Sequence, residues 1–318
     1  MWRYILKRLG QAIIVMFLVT FLTFLILHLL PGGAARSALG KEATEAQIIA
    51  YNAQMGYDQP FIIQYGMYLG RLFQGDLGFS FQQNQPIADL IAQRLPKTIV
   101  LSLLSTVLAV VIAVPLGALQ AVRRNKPADY LITGVALLAY ATPLFFLGML
   151  LIVLFSQVWP ILPPQAPQGF TVAEIFSQWQ GLILPVITLA IVALAAFTRY
   201  VRSTMVDNLN ENYIRTAQAK GLSPARVTLK HALGNSLFPV ITLLGMYVPH
   251  LFSGALVVES LFNYPGMGLM FWQATQTRDF PVLLAVTLIV SFATVIGALL
   301  ADIAYAMVDP RVRLSGGK

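Results

Sequence analysis

The chain has no cysteine. Disulfides and thiolate metal sites are excluded, and the redox compartment is left open. Charge is also scarce. Asp, Glu, Lys and Arg make up 11% of the 318 residues, where soluble domains carry about 25%. No Gly-x-x-x-x-Gly-Lys-Ser/Thr phosphate loop is present, and the acids are too scattered for a phosphoryl-transfer site, so this chain is not expected to hydrolyse ATP. The only histidines, His28, His231 and His250, lie on separated segments, which argues against a three-His metal centre. No constellation of His, Ser or acid at matched depth suggests an enzyme.

What fills the chain instead is apolar: 57% of residues, with a mean hydropathy of +0.72. Six runs approach the roughly 20 apolar residues that a helix needs to cross a bilayer. They cover residues 9–30, 98–119, 131–158, 182–200, 237–258 and 282–305. The expected fold is all-α and polytopic. Arg3, Lys7 and Arg8 before the first run also suit a signal peptide, but a signal core is only about 7–15 residues long, so a retained helix is expected. Pro115, Pro143, Pro185, Pro239 and Pro249 interrupt the runs, either as packed kinks or as bending points.

The net charge of +8 is unevenly spread. With the N-terminus placed in the cytoplasm, the inner segments gather Arg123, Arg124 and Lys126, the basic stretch from Arg199 to Lys230, and Arg311, Arg313 and Lys318. The outer segments hold more acid than base, including Glu174, Glu259 and Asp279. This asymmetry is a topology signal. It removes the case for nucleic acid as partner and puts both termini in the cytoplasm.

The outer loop before the second run carries Phe61, Tyr65, Tyr68 and Leu72 at helical spacing. The amphipathic helix they predict has three possible uses: packing on the bundle, lying on the membrane, or receiving an outside partner. The Gly75-Asp76-Leu77-Gly78 stretch reads as a turn. The inner loop, residues 201–236, is more informative. Asn210 is expected to cap a short helix over 211–220, Gly221 to end it, and Ser223 with Pro224 to start the next. Tyr213, Ala217 and Gly221 then share one face, where small residues let another surface approach. Docking of a partner and an ordinary basic loop near headgroups both remain open. His250 and Asp302 are the main ionisable groups within the runs, and so pathway candidates. Beside Glu259, the Asn263–Gly268 turn, with Pro265 and Gly266, either closes the outer mouth or is a plain turn.

The stretch Tyr213-Ile-Arg-Thr-Ala-Gln-Ala-Lys-Gly-Leu-Ser, followed by His231-Ala-Leu-Gly-Asn-Ser-Leu-Phe-Pro-Val, resembles the inner loop of ABC-type importer permeases, closest to the dipeptide/oligopeptide/nickel branch. Similar matches run in order along the chain. They are Tyr4-Ile-Leu-Lys-Arg-Leu, Leu29-Leu-Pro-Gly, Gly75-Asp-Leu-Gly-Phe-Ser, Arg94-Leu-Pro-Lys-Thr, Glu259-Ser-Leu-Phe-Asn-Tyr-Pro-Gly-Met-Gly, Arg278-Asp-Phe-Pro and Asp309-Pro-Arg-Val-Arg.

The resemblance implies a type I ABC importer permease fold. It implies a first helix over 1–30, an extracytoplasmic region over 31–97, a permease core over 98–305 and a cytoplasmic tail over 306–318. A second homologous permease subunit, two ABC ATPase subunits that bind ATP and Mg, and an extracytoplasmic solute-binding protein are the implied partners, with lipid around them. This chain would bind no cofactor and no metal. Tyr213, Arg215, Thr216, Ala217, Ala219, Lys220, Gly221 and Leu222 would form the ATPase-coupling helix, and His250, Glu259, Pro265 and Gly266 a possible pathway or gate. The implied cargo is a dipeptide or oligopeptide, with nickel or another small solute as the alternative; a secondary transporter is a weaker reading. The match has departures. Arg215-Thr-Ala stands where the wider family has Glu-Ala-Ala, Gly234 stands where it has proline, and Pro31-Gly-Gly-Ala-Ala replaces the branch's usual Pro-Gly-Asp-Pro.

Overall fold

The computed structural model describes residues 2–29, 35–36, 39–40, 42–80, 82–253 and 256–308. Helices dominate. We number them α1 (Trp2–Leu29), α2 (Glu45–Met55), α3 (Phe61–Phe73), α4 (Ile87–Val122), α5 (Pro127–Ala141), α6 (Leu144–Ile152), α7 (Val172–Ser177), α8 (Gln180–Leu209), α9 (Asn212–Ala219), α10 (Gly234–Ser253), α11 (Leu256–Leu261), α12 (Met267–Thr277) and α13 (Phe280–Val308).

The centre is a parallel pair, α4 and α8. Leu101 packs in one layer with Leu182 and Leu184. Ala109 and Ala113 meet Ala190, Ala193 and Phe197 in the next. Ala118 and Ala121 meet Met205 in the last. Small residues let the two backbones approach, which is how membrane helices gain contact when lipid supplies no hydrophobic drive. Gly117 is the tightest point. A Cβ there would sit 2.7 Å from Val201 Cβ and 2.8 Å from the Thr198 carbonyl oxygen.

Among the described residues, four segments are long and apolar enough to cross a bilayer: Leu6–Ile26, Ile87–Val122, Gln180–Leu209 and Phe280–Leu300. A fifth arises if Pro127–Ala141 and Leu144–Val158 are counted together. The third expected run is therefore not one straight helix. Its halves bend by 102°, because Pro143 forces Thr142 into an extended conformation (ψ 127°) and ends α5. Its far end, Val153–Val158, widens into a π-helix. The fifth expected run falls on α10 and α11, with residues 254–255 outside the described set.

The helix that carries the second expected run starts earlier than the run itself. The α4 helix begins at Ile87, passes through Pro96, and crosses the boundary expected at residue 97 without a break. Residues 31–97 therefore do not end as a separate loop region; their last stretch is part of the central helix.

The amphipathic helix α3 packs on α1. Thr20 Oγ1 and Tyr65 Oη lie 2.9 Å apart, and the buried Phe24 ring stacks on Phe61, Tyr65 and Tyr68 at centroid distances of 5.3–5.5 Å. The opposite face of α3 leaves Ile62 and Phe73 exposed. The expected Gly75–Gly78 turn is present, with the Gly78 amide donating to Asp76 Oδ1 at 2.9 Å. A two-residue antiparallel ladder follows, pairing Phe79 with Pro86 and Ser80 with Gln85. It is tied to the start of α13 by a buried hydrogen bond, Ser80 Oγ to Asp279 Oδ2 at 2.5 Å.

Candidate functional site

Two constellations stand out, one at each end of the α4–α8 pair. At the end where α4 and α8 finish, α9 projects as a short helix. Its capping differs from the expectation. Asn210 closes α8 instead, its side chain donating to the Val206 carbonyl at 2.9 Å. Glu211 is the N-cap of α9 and makes no side-chain cap bond. Gly221 does end the segment in the left-handed region (φ 76°), which residues with a Cβ adopt at a cost. Ser223 Oγ accepts from the Arg226 amide at 3.4 Å, and Pro224 takes the first position as expected. The continuation over Val227–Leu233 is π-helical.

Burial sorts the α9 side chains. Ile214 is fully buried and Ala217 nearly so, against Ala118, Ala121, Met205, Val227 and Ala232. Leu222 packs on the same cluster. Arg215, Thr216, Ala219, Lys220 and Gly221 are exposed. Tyr213 is 38% exposed and its hydroxyl donates to Asn208 Oδ1 at 2.7 Å. The expected shared face of Tyr213, Ala217 and Gly221 is thus split. Ala217 is small because α9 must sit close to its own bundle. The free face carries Arg215, Thr216, Ala219 and Lys220.

An ion pair braces this end. Arg202 donates in a fork to Asp129, Nε to Oδ1 and Nη2 to Oδ2, both at 2.7 Å. Asp129 also accepts from the Asn125 amide at 3.0 Å. The pair fixes the start of α5 against α8.

The opposite end holds a buried polar clamp. Glu259 on α11 is fully buried. Its Oε1 accepts from Thr98 Oγ1 at 2.8 Å, and its Oε2 accepts from the amides of Gly268 and Leu269 at 2.7 and 3.1 Å. Those amides are unpaired donors in the first turn of α12, and the carboxylate serves as their acceptor. Thr98 in turn accepts from the Met267 amide at 2.7 Å. Tyr264 donates to the Lys97 carbonyl at 2.8 Å, and the buried Lys97 Nζ donates to the Gly169 carbonyl at 2.7 Å. Burial pushes the Glu259 carboxyl above its ordinary range, against the opposing pull of Thr98 and the two amides. Burial also raises Asp279, against its bonds to Ser80 and the Val282 amide.

The gate candidates therefore fall unevenly. Glu259 and Gly266 belong to this clamp, and Pro265 is buried beside them. Gly266 is required by contact: a Cβ would overlap Glu259 Oε2 and lie 2.5 Å from Thr98 Oγ1. From Tyr264 to Gly268 the turn is buried, a wedge rather than a free flap. His250 lies on α10 and Asp302 on α13, but their side chains lie outside the described residues. Sequence reasoning did not find Lys97, Thr98 and Gly169. The one available signal was a lysine and a glutamate bordering apolar runs.

Among the described residues, no three His, Cys, Asp or Glu side chains gather around a point that could hold a metal ion. What the fold offers is a projecting helix at one end, a locked joint at the other, and long helices between them.

Comparison with known proteins gives a consistent result. Residues 113–314 match the family described as binding-protein-dependent transport system inner membrane component. Residues 1–102 match the N-terminal region of the same kind of membrane component. The chain is 39% identical over 311 residues to the oligopeptide transport system permease protein AppB of Bacillus subtilis, covering 97% of this chain and 98% of that one. It is 39% identical over 313 residues to the glutathione transport system permease protein GsiC of Escherichia coli, covering 98% and 99%. A putative peptide permease protein of Brucella ovis is 38% identical over 323 residues, covering 99% and 100%.

Proposed function

We infer the function of this chain from its membership: it belongs to the binding-protein-dependent transport system inner membrane component family, and it is the multi-pass membrane permease subunit of an ABC importer. Its cargo, on our reading, is a dipeptide or oligopeptide. The oligopeptide and glutathione permeases named above support this cargo class. The chain forms half of a translocation pathway, and a second, homologous permease forms the other half. Two ATPase subunits hold the ATP and Mg, and this chain holds neither. An external solute-binding protein delivers the cargo. The basic end of the bundle, with both termini, faces the cytoplasm.

The observation that carries this reading is the split of α9. Ile214 and Ala217 anchor it to the ends of α4 and α8, while Arg215, Thr216, Ala219 and Lys220 face outward. A helix rooted in two spanning helices and free on its other side is a handle. A partner that grips the free face moves α4 and α8 with it. ATP binding closes the ATPases, displaces α9, and turns the pathway outward.

The test is reconstitution with the cognate ATPases, second permease and binding protein. Peptide uptake should require all of them and ATP. A single A219C change should crosslink to an ATPase subunit. Uptake by this chain alone, without ATPases, would overturn the reading.

A further inference from the structure

We propose that Phe170 is a preformed anchor onto which the external binding protein seats its rim, and that the Lys97–Glu259 clamp carries this contact into the spanning helices. The proposal rests on the reading above, which places residues 159–180 outside the cell.

Phe170 is 82% exposed. A free aromatic ring on a loose loop would mean little, but the backbone around this one is fixed on every side. The Gly169 carbonyl accepts from buried Lys97 Nζ at 2.7 Å. The Phe170 amide donates to Glu174 Oε2 at 2.9 Å. Gln168 Nε2 donates to the Asn263 carbonyl at 2.6 Å, and the Ala166 amide donates to the Phe262 carbonyl at 2.8 Å. Gly169 has no room for a side chain, since a Cβ would sit 2.7 Å from Glu174 Cβ. Pro163, Pro164 and Pro167 stiffen the approach. A backbone held this way has little ordering entropy left to lose when a partner covers the ring.

The surroundings select a protein in water rather than lipid. Gln165, Gln168, Thr171 and Glu174, all exposed, flank the ring in sequence. Glu174 is the only formal charge between residues 159 and 180, and no Lys or Arg is there to meet anionic headgroups. Trp159 and Trp179, at the two ends of the segment, occupy the positions that suit an aromatic belt at the headgroups. An aromatic centre within a polar rim is the pattern of a protein-protein contact. The fitting partner surface has an apolar pocket for one ring and a hydrogen-bond donor or basic group opposite Glu174.

The same bonds make Phe170 continuous with the clamp. Gly169 is held by Lys97, whose neighbour Thr98 holds Glu259 and the first turn of α12. Force applied at residue 170 therefore reaches α4, α11 and α12 without crossing a flexible segment.

The test measures association of the cognate peptide-loaded binding protein with the full transporter in nanodiscs. F170A and F170D should each weaken association about tenfold or more, with assembly and basal ATPase activity unchanged. Unaltered association of both variants would overturn the proposal while leaving the permease reading intact. If the wild-type transporter itself failed to bind the protein, the functional reading would fall and this proposal with it. Because the chain has no cysteine, F170C can carry a single nitroxide in a transporter whose partners lack reactive thiols. The label should be accessible to a water-soluble relaxant and become immobilised when loaded binding protein is added. Contact with oxygen in lipid, and none with the aqueous relaxant, would also overturn it.

Discussion

Arg202 closes on Asp129 with two parallel hydrogen bonds of 2.7 Å, and the two residues belong to helices that share no loop. The Asp129 side chain is only 3% exposed, and that of Arg202 is 31% exposed. Removing the arginine leaves a buried carboxylate with only a backbone amide and a glutamine nearby. R202A should cost about 1–3 kcal/mol of stability. R202K, a point charge without the fork, should recover only part of it. Thermal unfolding of the purified complex followed by tryptophan fluorescence checks the order of the three proteins. Equal midpoints would show that the pair contributes nothing.

The clamp at the other end predicts a contrast between two changes at one site. E259A deprives Thr98, Gly268 and Leu269 of their acceptor, at about 1–3 kcal/mol for each buried group left unpaired. E259Q can keep its oxygen toward the two amides and deprives only the Thr98 hydroxyl of its acceptor, so it should cost less than E259A, about 1–3 kcal/mol for that one group. G266A, which pushes a methyl into the same cluster, should cost about 1–3 kcal/mol. Comparable losses for E259A and E259Q would mean that an oxygen kept toward the two amides does not substitute for the carboxylate.

The same site has a pH signature. Burial raises both Glu259 and Asp279, so the folded protein binds their protons more readily than the unfolded chain does. That stability is present below the ordinary carboxylate range and is lost as pH rises through the raised values. Unfolding midpoints of the wild type should therefore fall on going from acid to neutral pH. E259Q combined with D279N should flatten that slope. An undiminished slope in the double variant would place the titration elsewhere.

Two alanines on α9 should behave differently. Ala217 faces the bundle, so A217W should lower stability and expression. Ala219 faces outward, so A219W should leave the permease folded and reduce ATP-coupled uptake about tenfold through lost ATPase contact. Co-purification of the ATPase with each variant separates the two effects. An A219W permease with full uptake and full co-purification would remove α9 as the coupling element.

The α4–α8 seam gives the sharpest packing prediction. Gly117 already lies against Val201 and the Thr198 carbonyl. G117L should separate the two helices and cost more than the 1–3 kcal/mol typical of an overpacked core. Detergent stability of the variant measures this directly, and wild-type stability would contradict the close approach.

Much of this was legible in the sequence. Apolar run length located helices, because lipid leaves a spanning backbone few alternatives. The Tyr65 and Tyr68 periodicity gave α3, and Gly221 gave the end of α9. The sequence was silent where polar groups pair across distance. Lys97 read as an outer-segment charge and Glu259 as a possible gate residue, but neither partner was visible, because hydropathy scores each residue alone and the partners are 72 residues away for one and 161 for the other. Ala217 read as an interface residue because helical spacing does not say which face is already occupied. Pro143 was visible as an interruption, but a 102° turn depends on what receives the two halves.

That turn has a consequence for how the chain is made. At about 1.5 Å per residue, α5 reaches about 22 Å and the half from Leu144 to Val158 about 20 Å, each short of the roughly 30 Å hydrocarbon layer. Both lie against α8, which leaves the ribosome after them. The third segment cannot settle by partitioning on its own. It must wait, unfinished, until α8 arrives to receive it. Insertion of this region is therefore a joint event of two segments rather than a sequence of independent ones.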